Sequence, residues 1–447
     1  MELSERLRER AVKLLSELIR FDTTNPPGDE LECACFLAEW LNAGGLPAQT
    51  LETAPGRGAA WAELRGDDRP PLLLMGHLDV VPVGDRAAWT HDPFGGEVID
   101  GCVWGRGAVD CKGVLAAQAA ALVEAASENE GGRPVRLLAA PDEEVGGAAG
   151  LGWIVENRPE LVDCWCCLTE GGGEYYRIAG RGFSTFMVGE KGQLRLELTV
   201  RGRQGHAALP GDDQALWVLG EVLRRLRERP IAYRVLEVNA RLLERLLEGV
   251  EGGKQLLAGL RAGVDEAWKG FFELVRSGAA DFEPALRATY GDTLSPTILR
   301  AGEKINIIPG RAELACDCRL LPGSDAEGFT AEITGLLEGL PVEVAVIEGH
   351  PASVSAYDHP VVGISRELTV RWEPGADFLP LLCLAGTDSR HLRWAGIDSY
   401  GFVPYPSDPL PADFTQRMHA VDERLEVEIL GKMTERYYEL IREVRRR

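Results

Sequence analysis

The chain has 447 residues, with 48 Lys and Arg against 70 Asp and Glu, a formal net charge of −22 and an apolar share of 45%. That balance excludes a disordered or fibrous chain, and at roughly 150 residues per domain the length predicts two or three domains. So acidic a chain argues against a nucleic-acid or anionic-membrane partner. No apolar run approaches the about 18 residues of a membrane span, and the charged start MELSERLRERAVKLL lacks an apolar signal core, so the expected compartment is the cytoplasm. The 10 cysteines are too dilute for a disulfide scaffold and do not space like a zinc ribbon; they read as small buried thiols.

In chain order, Leu7, Ala11, Leu14, Leu15, Leu18 and Ile19 recur at helical spacing over residues 3–20. The loop DTTNPPGDE (22–30) breaks that helix, and a second runs through Leu41 to the stop at Gly44 and Gly45. Short apolar runs of strand length follow at Leu72–Met75, Val135–Ala140, Val162–Leu168 and Leu381–Ala385. Helix-like stretches at Gly113–Ser127 and Gly150–Asn157 separate the first three, which predicts an α/β domain with a largely parallel sheet. Near residue 191 the pattern changes. Leu194, Leu196, Leu198 and Val200 alternate as in a half-buried strand, a helix is expected at about 213–229, and 231–290 is mostly helical in pattern. Alternation returns at 305–320, so an α+β segment of antiparallel character is expected inside the α/β domain. The predicted boundaries are 1–190 and 351–447 for the two parts of the α/β domain and 191–350 for the inserted one. A last amphipathic helix covers Glu423–Arg447.

Each core strand runs into polar residues. LLLMG meets His77 and Asp79, VRLLAAP meets Asp142, Glu143 and Glu144, VDCWCCLT meets Glu170, and LLCLA meets Gly386, Thr387 and Asp388. In open α/β sheets the ligand crevice lies at the carboxyl ends of the strands. GRGAVDCKG, with Asp110, and MHAVDER, with His419, each precede a helix and are candidates to join them. Carboxylates crowded in one crevice repel unless a cation neutralises them, and mixed imidazole and carboxylate donors suit zinc, with cobalt or manganese as substitutes. Two cations need a bridging carboxylate, and a further carboxylate free of metal is needed as proton shuttle. Singly, each motif has a plainer reading: a surface His–Asp pair, a solvated acidic turn, a helix cap. Their coincidence at successive strand ends favours the site. No G-x-S-x-G elbow or Cys–His signature points to a serine or cysteine hydrolase.

GHLDVVP (76–82), GRGAVDCKG (105–113), PDEEVGG (141–147), TEGG (169–172), RGRQGHAALP (201–210), INIIPG (305–310), DCRLLPG (317–323), GTDSR (386–390) and His419 together resemble the dizinc amidohydrolases and exopeptidases of metallopeptidase family M20. That family includes aminoacylases, acetylornithine deacetylase, succinyl-diaminopimelate desuccinylase and carboxypeptidase S. The resemblance implies a zinc-exopeptidase-like catalytic domain and an inserted lid and dimerisation domain, with a homodimer formed through the lid. It implies that His77, Asp110 and Glu170 hold one zinc, and that Asp110, Glu144 and His419 hold the other. Asp79 would fix the His77 tautomer, and Glu143 would be the general base. The Asp110–Cys111 peptide would be cis, although the family usually carries another residue type at 111. His206 would stabilise the oxyanion in trans. Asn306 and Arg319 would bind substrate, Arg319 forking onto a carboxylate unless it forms a structural salt bridge; Gly386 and Thr387 would contact the same end. The long stretch 231–290 resembles the carboxypeptidase S-like branch. The implied activity is zinc-dependent hydrolysis of an amide or peptide bond in a dipeptide or N-acyl amino acid. The alternative is a non-catalytic, metal-dependent binding protein on the same fold.

Overall fold

The computed structural model describes residues 2–128, 131–178, 181–408, 410–411 and 413–447. The chain divides into two compact units. The first comprises the residues up to Gly189, with Ser355–Leu381 and Thr387–Arg447; the second comprises Glu190–Val354 with Leu382–Gly386.

The first unit is built on a mixed sheet whose centre is parallel. Strand Leu72–His77 lies between Val135–Ala140 and Cys166–Thr169, and Ser399–Gly401 continues the parallel set beyond Cys166–Thr169. The flanks are antiparallel: the hairpin of Ala48–Ala54 and Arg57–Leu64 pairs onto Val135–Ala140, and Gly401 pairs with Met187 on the other side. Every residue of Leu72–His77 is buried, which is why its apolar run does not alternate. Helices Leu3–Ile19, Lys112–Ser127 and Val427–Arg446 pack against one another. A separate apolar cluster joins Leu73, Met75, Leu138 and Cys167 to Leu151, Ile154, Val162 and Leu392. Each fully buried large aliphatic side chain of this core contributes roughly 1.5–3 kcal/mol toward holding the strands in place.

Three sequence expectations shift. The Val162–Leu168 run contributes a strand only at Cys166–Thr169; Leu161 and Val162 are buried from a turn instead. The fourth parallel strand is Ser399–Gly401, not Leu381–Ala385; the latter run lies largely in strand Asp377–Cys383, which pairs with Arg181–Glu190. Three residues, Ser, Tyr and Gly, carry no apolar run to read, yet all are buried between two neighbours. The last helix starts at Val427, because Arg424–Glu426 pairs with Cys102–Trp104 first.

The second unit is an antiparallel four-stranded sheet in the order Thr293–Ala301, Arg311–Leu320, Gly192–Arg201, Val342–His350. Leu194, Leu196, Leu198 and Val200, with Leu314, Cys316 and Cys318, face helices Ala215–Glu228 and Ala326–Leu336 through Leu219, Val222, Phe329 and Ile333. The stretch 231–290 folds into helices Glu237–Leu247, Gly253–Arg261, Asp265–Ala279 and Glu283–Tyr290. It has its own aromatic core, in which Trp268 contacts Tyr233, Phe271, Phe272 and Tyr290. Lys191 ties this core to the sheet, its Nζ donating to the carbonyls of Ala288 (2.9 Å) and Gly291 (2.8 Å).

Candidate metal centre

Because the central strands are parallel, their carboxyl ends meet at one edge of the first unit. His77 is the last residue of its strand, Glu170 follows Thr169, and the turn carrying Glu143 and Glu144 follows Ala140. Asp110 precedes the buried helix Lys112–Ser127 through a cis Asp110–Cys111 peptide.

These side chains converge. His77 Nε2 lies 3.1 Å from Asp110 Oδ1 and 3.3 Å from Glu170 Oε2. His419 Nε2 lies 3.1 Å from Asp110 Oδ2 and 3.4 Å from Glu144 Oε2. Two donor groups result, both capable of holding a metal ion: His77, Asp110 and Glu170 with the Cys111 thiol, and Asp110, Glu144 and His419. Asp110 belongs to both, one oxygen toward each histidine. Glu144 Oε1 is buried and has no hydrogen-bond partner among the described residues, which fits a donor kept for a cation. Nitrogen and carboxylate donors of this kind fit divalent transition metals.

His77 presents Nε2 to these oxygens because its Nδ1 donates to the Asp79 carbonyl at 2.9 Å. The Asp79 carboxylate, 3.6 Å from Nδ1, has another task. Its two oxygens accept the backbone N–H groups of Glu143 (3.0 Å) and Glu144 (3.1 Å), and Oδ2 also accepts from Asn25 (2.8 Å). Asp79 therefore orients the histidine through its backbone and the Glu143–Glu144 turn through its side chain.

That turn begins at Asp142, whose φ of 78° lies in the left-handed region. A buried network holds it there. Arg57 donates to Asp142 at 2.7 Å and to both oxygens of Glu30, and Ala149 N donates to Asp142 Oδ2 at 2.7 Å. At the turn's far end, Arg390 and His391 both reach the Gly146 carbonyl, at 2.7 and 2.9 Å. The sequence pattern assigned no role to Asn25, Glu30 or Arg57, and it placed Arg390 only within the GTDSR motif. The polar loop DTTNPPGDE was the signal for the first two.

Burial, and then the charge of Glu170, push Glu143 well above the usual carboxylate range; burial raises Glu170 as well. Burial alone would raise Asp110 too, but the His419 and His77 rings against its oxygens outweigh that and hold it low. His419 is raised from 6.5 to about 10, first by its hydrogen bond to Asp110 and then by that to Glu144. Below pH 6.5 the His419 contribution to stability is complete, and it is lost as pH climbs toward 10; the penalty of ionising Glu143 and Glu170 grows in the same direction, while Asp110 is constant there. The melting temperature of chelator-treated protein is expected to fall between pH 6.5 and 10, and the zinc-loaded protein to fall less. A rise in the metal-free value over that window would refute this electrostatic account.

The remaining predicted residues divide by unit. Thr387 lies in the first unit, its methyl 3.9 Å from where a Cβ on Gly171 would stand, and its Oγ1 accepts from Ser389 N at 3.2 Å. Gly386, next to it, falls in the second unit, as do His206, Asn306 and Arg319. His206 and Asn306 are exposed neighbours on a small ribbon, where Gly205 and His206 pair with Ile308 and Ile307. The Asn306 carbonyl accepts from Ala207 N at 3.1 Å. Arg319 forms the intra-strand ion pair with Asp317, through Nε (2.7 Å) and Nη2 (3.3 Å).

A family model described as peptidase family M20/M25/M40 matches residues 73–443. A probable carboxypeptidase S-like 2 from Dictyostelium discoideum is 28% identical over 385 residues, covering 83% of this chain and 71% of that protein. A succinyl-diaminopimelate desuccinylase from Halorhodospira halophila is 36% identical over 203 residues, 44% of this chain and 51% of that one. The crystal structure of an M20 family metallo-carboxypeptidase from Sulfolobus solfataricus shares the fold, with a TM-score of 0.71 at 20% identity over 99% of both chains.

Proposed function

The chain belongs to peptidase family M20/M25/M40 and is a hydrolytic enzyme; from this we propose that it is a two-zinc amidohydrolase cleaving the amide or peptide bond of a small carboxylate-bearing substrate, a dipeptide or an N-acyl amino acid. The observation that carries the reading is that Asp110 is common to both donor groups, while Glu143, next in sequence to Glu144, belongs to neither. In this reading His77, Asp110 and Glu170 hold one ion, and Asp110, Glu144 and His419 the other. Bound there, two cations would polarise the scissile carbonyl and acidify water.

The chain's own residues supply the proton traffic. Glu143 takes a proton from the attacking water and delivers it to the leaving amine, a double duty open to a carboxylate that belongs to neither donor group. Asp79, by holding the N–H groups of both glutamates, lets adjacent side chains serve different tasks. The second unit acts as a lid in this proposal. His206 donates in trans to the developing oxyanion, and Asn306 and Arg319 bind the substrate carboxylate, with Arg319 keeping Nη1 beyond its contacts with Asp317. Thr387 and the Gly386 backbone border the same end. The exposed Ile298 and Leu299 of strand Thr293–Ala301 support a homodimer through this unit. The ten free thiols support a reducing, cytoplasmic setting.

His206→Ala is expected to retain both metal equivalents and to lose about 10²–10³-fold in kcat, the usual effect of deleting one oxyanion donor; an unchanged kcat would remove His206 from the site. The substrate class is tested by a hydrolysis screen of zinc- and cobalt-loaded protein over dipeptides and N-acetyl, N-succinyl and long-chain N-acyl amino acids. Release of the amino acid from at least one class is expected. Turnover of none by protein carrying two metal equivalents would overturn the substrate assignment and favour a metal-dependent binding protein.

A further inference from the structure

Arg106 and Glu423 are 2% and 0% exposed and have no part in either donor group. Arg106 stands four residues before Asp110, and Glu423 four residues after His419. Their charges meet at 2.7 Å, Arg106 Nη1 donating to Glu423 Oε2. Each also reaches the segment that carries the other's neighbouring metal-site residue. Glu423 Oε1 accepts the backbone N–H of Asp110 (3.1 Å) and of Val109 (2.8 Å), and Oε2 accepts that of Gly107 (3.1 Å). Arg106 Nη2 reaches back to the carbonyl of His419 at 3.3 Å and to that of Pro82 at 3.4 Å. The backbones join too, Gly105 N donating to the Glu423 carbonyl at 3.0 Å.

The arrangement is a reciprocal clasp. The His419 segment supplies the carboxylate that captures the N–H groups around Asp110, and the Asp110 segment supplies the guanidinium that captures the His419 carbonyl. His419 has a φ of 61°, in the left-handed region that a residue with a Cβ adopts only when its surroundings hold it there. A buried ion pair is seldom a net gain over well-packed apolar side chains, so stability alone is a weak reason for this one. Both Glu423 oxygens and Arg106 Nη2 are also spent on the backbone of the two segments.

We propose that Arg106 and Glu423 are positioning residues that fix Asp110 and His419 relative to each other, and thereby set the affinity of the second metal position. The inference rests on the two-metal reading. Its selectivity comes from how the other ligands are held. His77 and Glu170 sit at the ends of adjacent, hydrogen-bonded strands and keep their places without the clasp. His419 is in a loop with a half-exposed ring, and its contact to Asp110 depends on how the two segments are joined.

The test titrates ZnCl₂ into chelator-stripped, full-length protein against a competing chromophoric chelator. The parent is expected to take two equivalents. Glu423→Gln, which keeps the shape and removes the charge, is expected to bind one equivalent about 10–100-fold more weakly, the usual cost of losing a group that orients a metal ligand, with the other within about threefold of the parent. Arg106→Lys keeps the cation but loses the fork, and is expected to weaken the same equivalent; it serves as the second arm if Glu423→Gln fails to fold. Two equivalents bound as in the parent, or both weakened together, would overturn the clasp. A parent that never takes two equivalents would instead bring down the two-metal reading, and the clasp with it.

Discussion

Glu143→Gln is expected to keep two metal equivalents and to lose about 10²–10⁴-fold in kcat, the range associated with removing a general acid–base group. The substitution preserves length and shape, and leaves the backbone N–H that Asp79 holds at 3.0 Å. It touches neither donor group. What changes is the ability to take a proton from water and return it to the amine. The loss should therefore fall on kcat, with KM close to the parent value. An unchanged kcat in a metal-replete Glu143→Gln variant would end the assignment of this residue as base.

Asp110→Ala is expected to do the opposite to the metal. Its two oxygens lie 3.1 Å from His77 Nε2 and 3.1 Å from His419 Nε2, so one truncation removes a donor from both positions. Any cation lost with it would leave Glu143, Glu144 and Glu170 without the positive charge that offsets their mutual repulsion. Metal content should drop below one equivalent per chain under conditions in which Glu143→Gln retains two, with activity at background. Retention of both equivalents would show that another group bridges. The contrast with Glu423→Gln is informative, because there only one equivalent is expected to weaken.

The ligand candidates were legible for a physical reason. His77, Glu144 and Glu170 follow buried apolar strands, so a polar residue there contrasts sharply with what precedes it, and parallel strands put those ends on one edge. Asp110 and His419 sit on loops without such contrast; their place before a helix made them candidates, and the resemblance assigned them to metal positions. The residues that escaped notice act through backbone atoms or through buried partners. Arg57, Arg106 and Glu423 look like ordinary charges in a chain with 118 of them counting both signs, and only the folded loops reveal that Glu423 collects three N–H groups. Ser399–Gly401 was invisible because a three-residue strand has no period. The dual use of Asp79, backbone to His77 and carboxylate to the glutamate turn, is a matter of geometry that no spacing encodes.

The discontinuity of the first unit bears on how the protein is made. Thr169 finds its partner Gly401 only after the whole inserted unit has been synthesised, and His419 follows later still. A chain emerging from the ribosome thus exposes one flank of its central sheet until translation is nearly complete, and such late, distant pairing is intrinsically slow. The His77, Asp110 and Glu170 donors are all present in the first part of the chain, whereas Asp110, Glu144 and His419 cannot assemble until the end. On the two-metal reading, capture of the ions would then be ordered in time, and a ribosome-stalled or C-terminally truncated chain would be limited to the first.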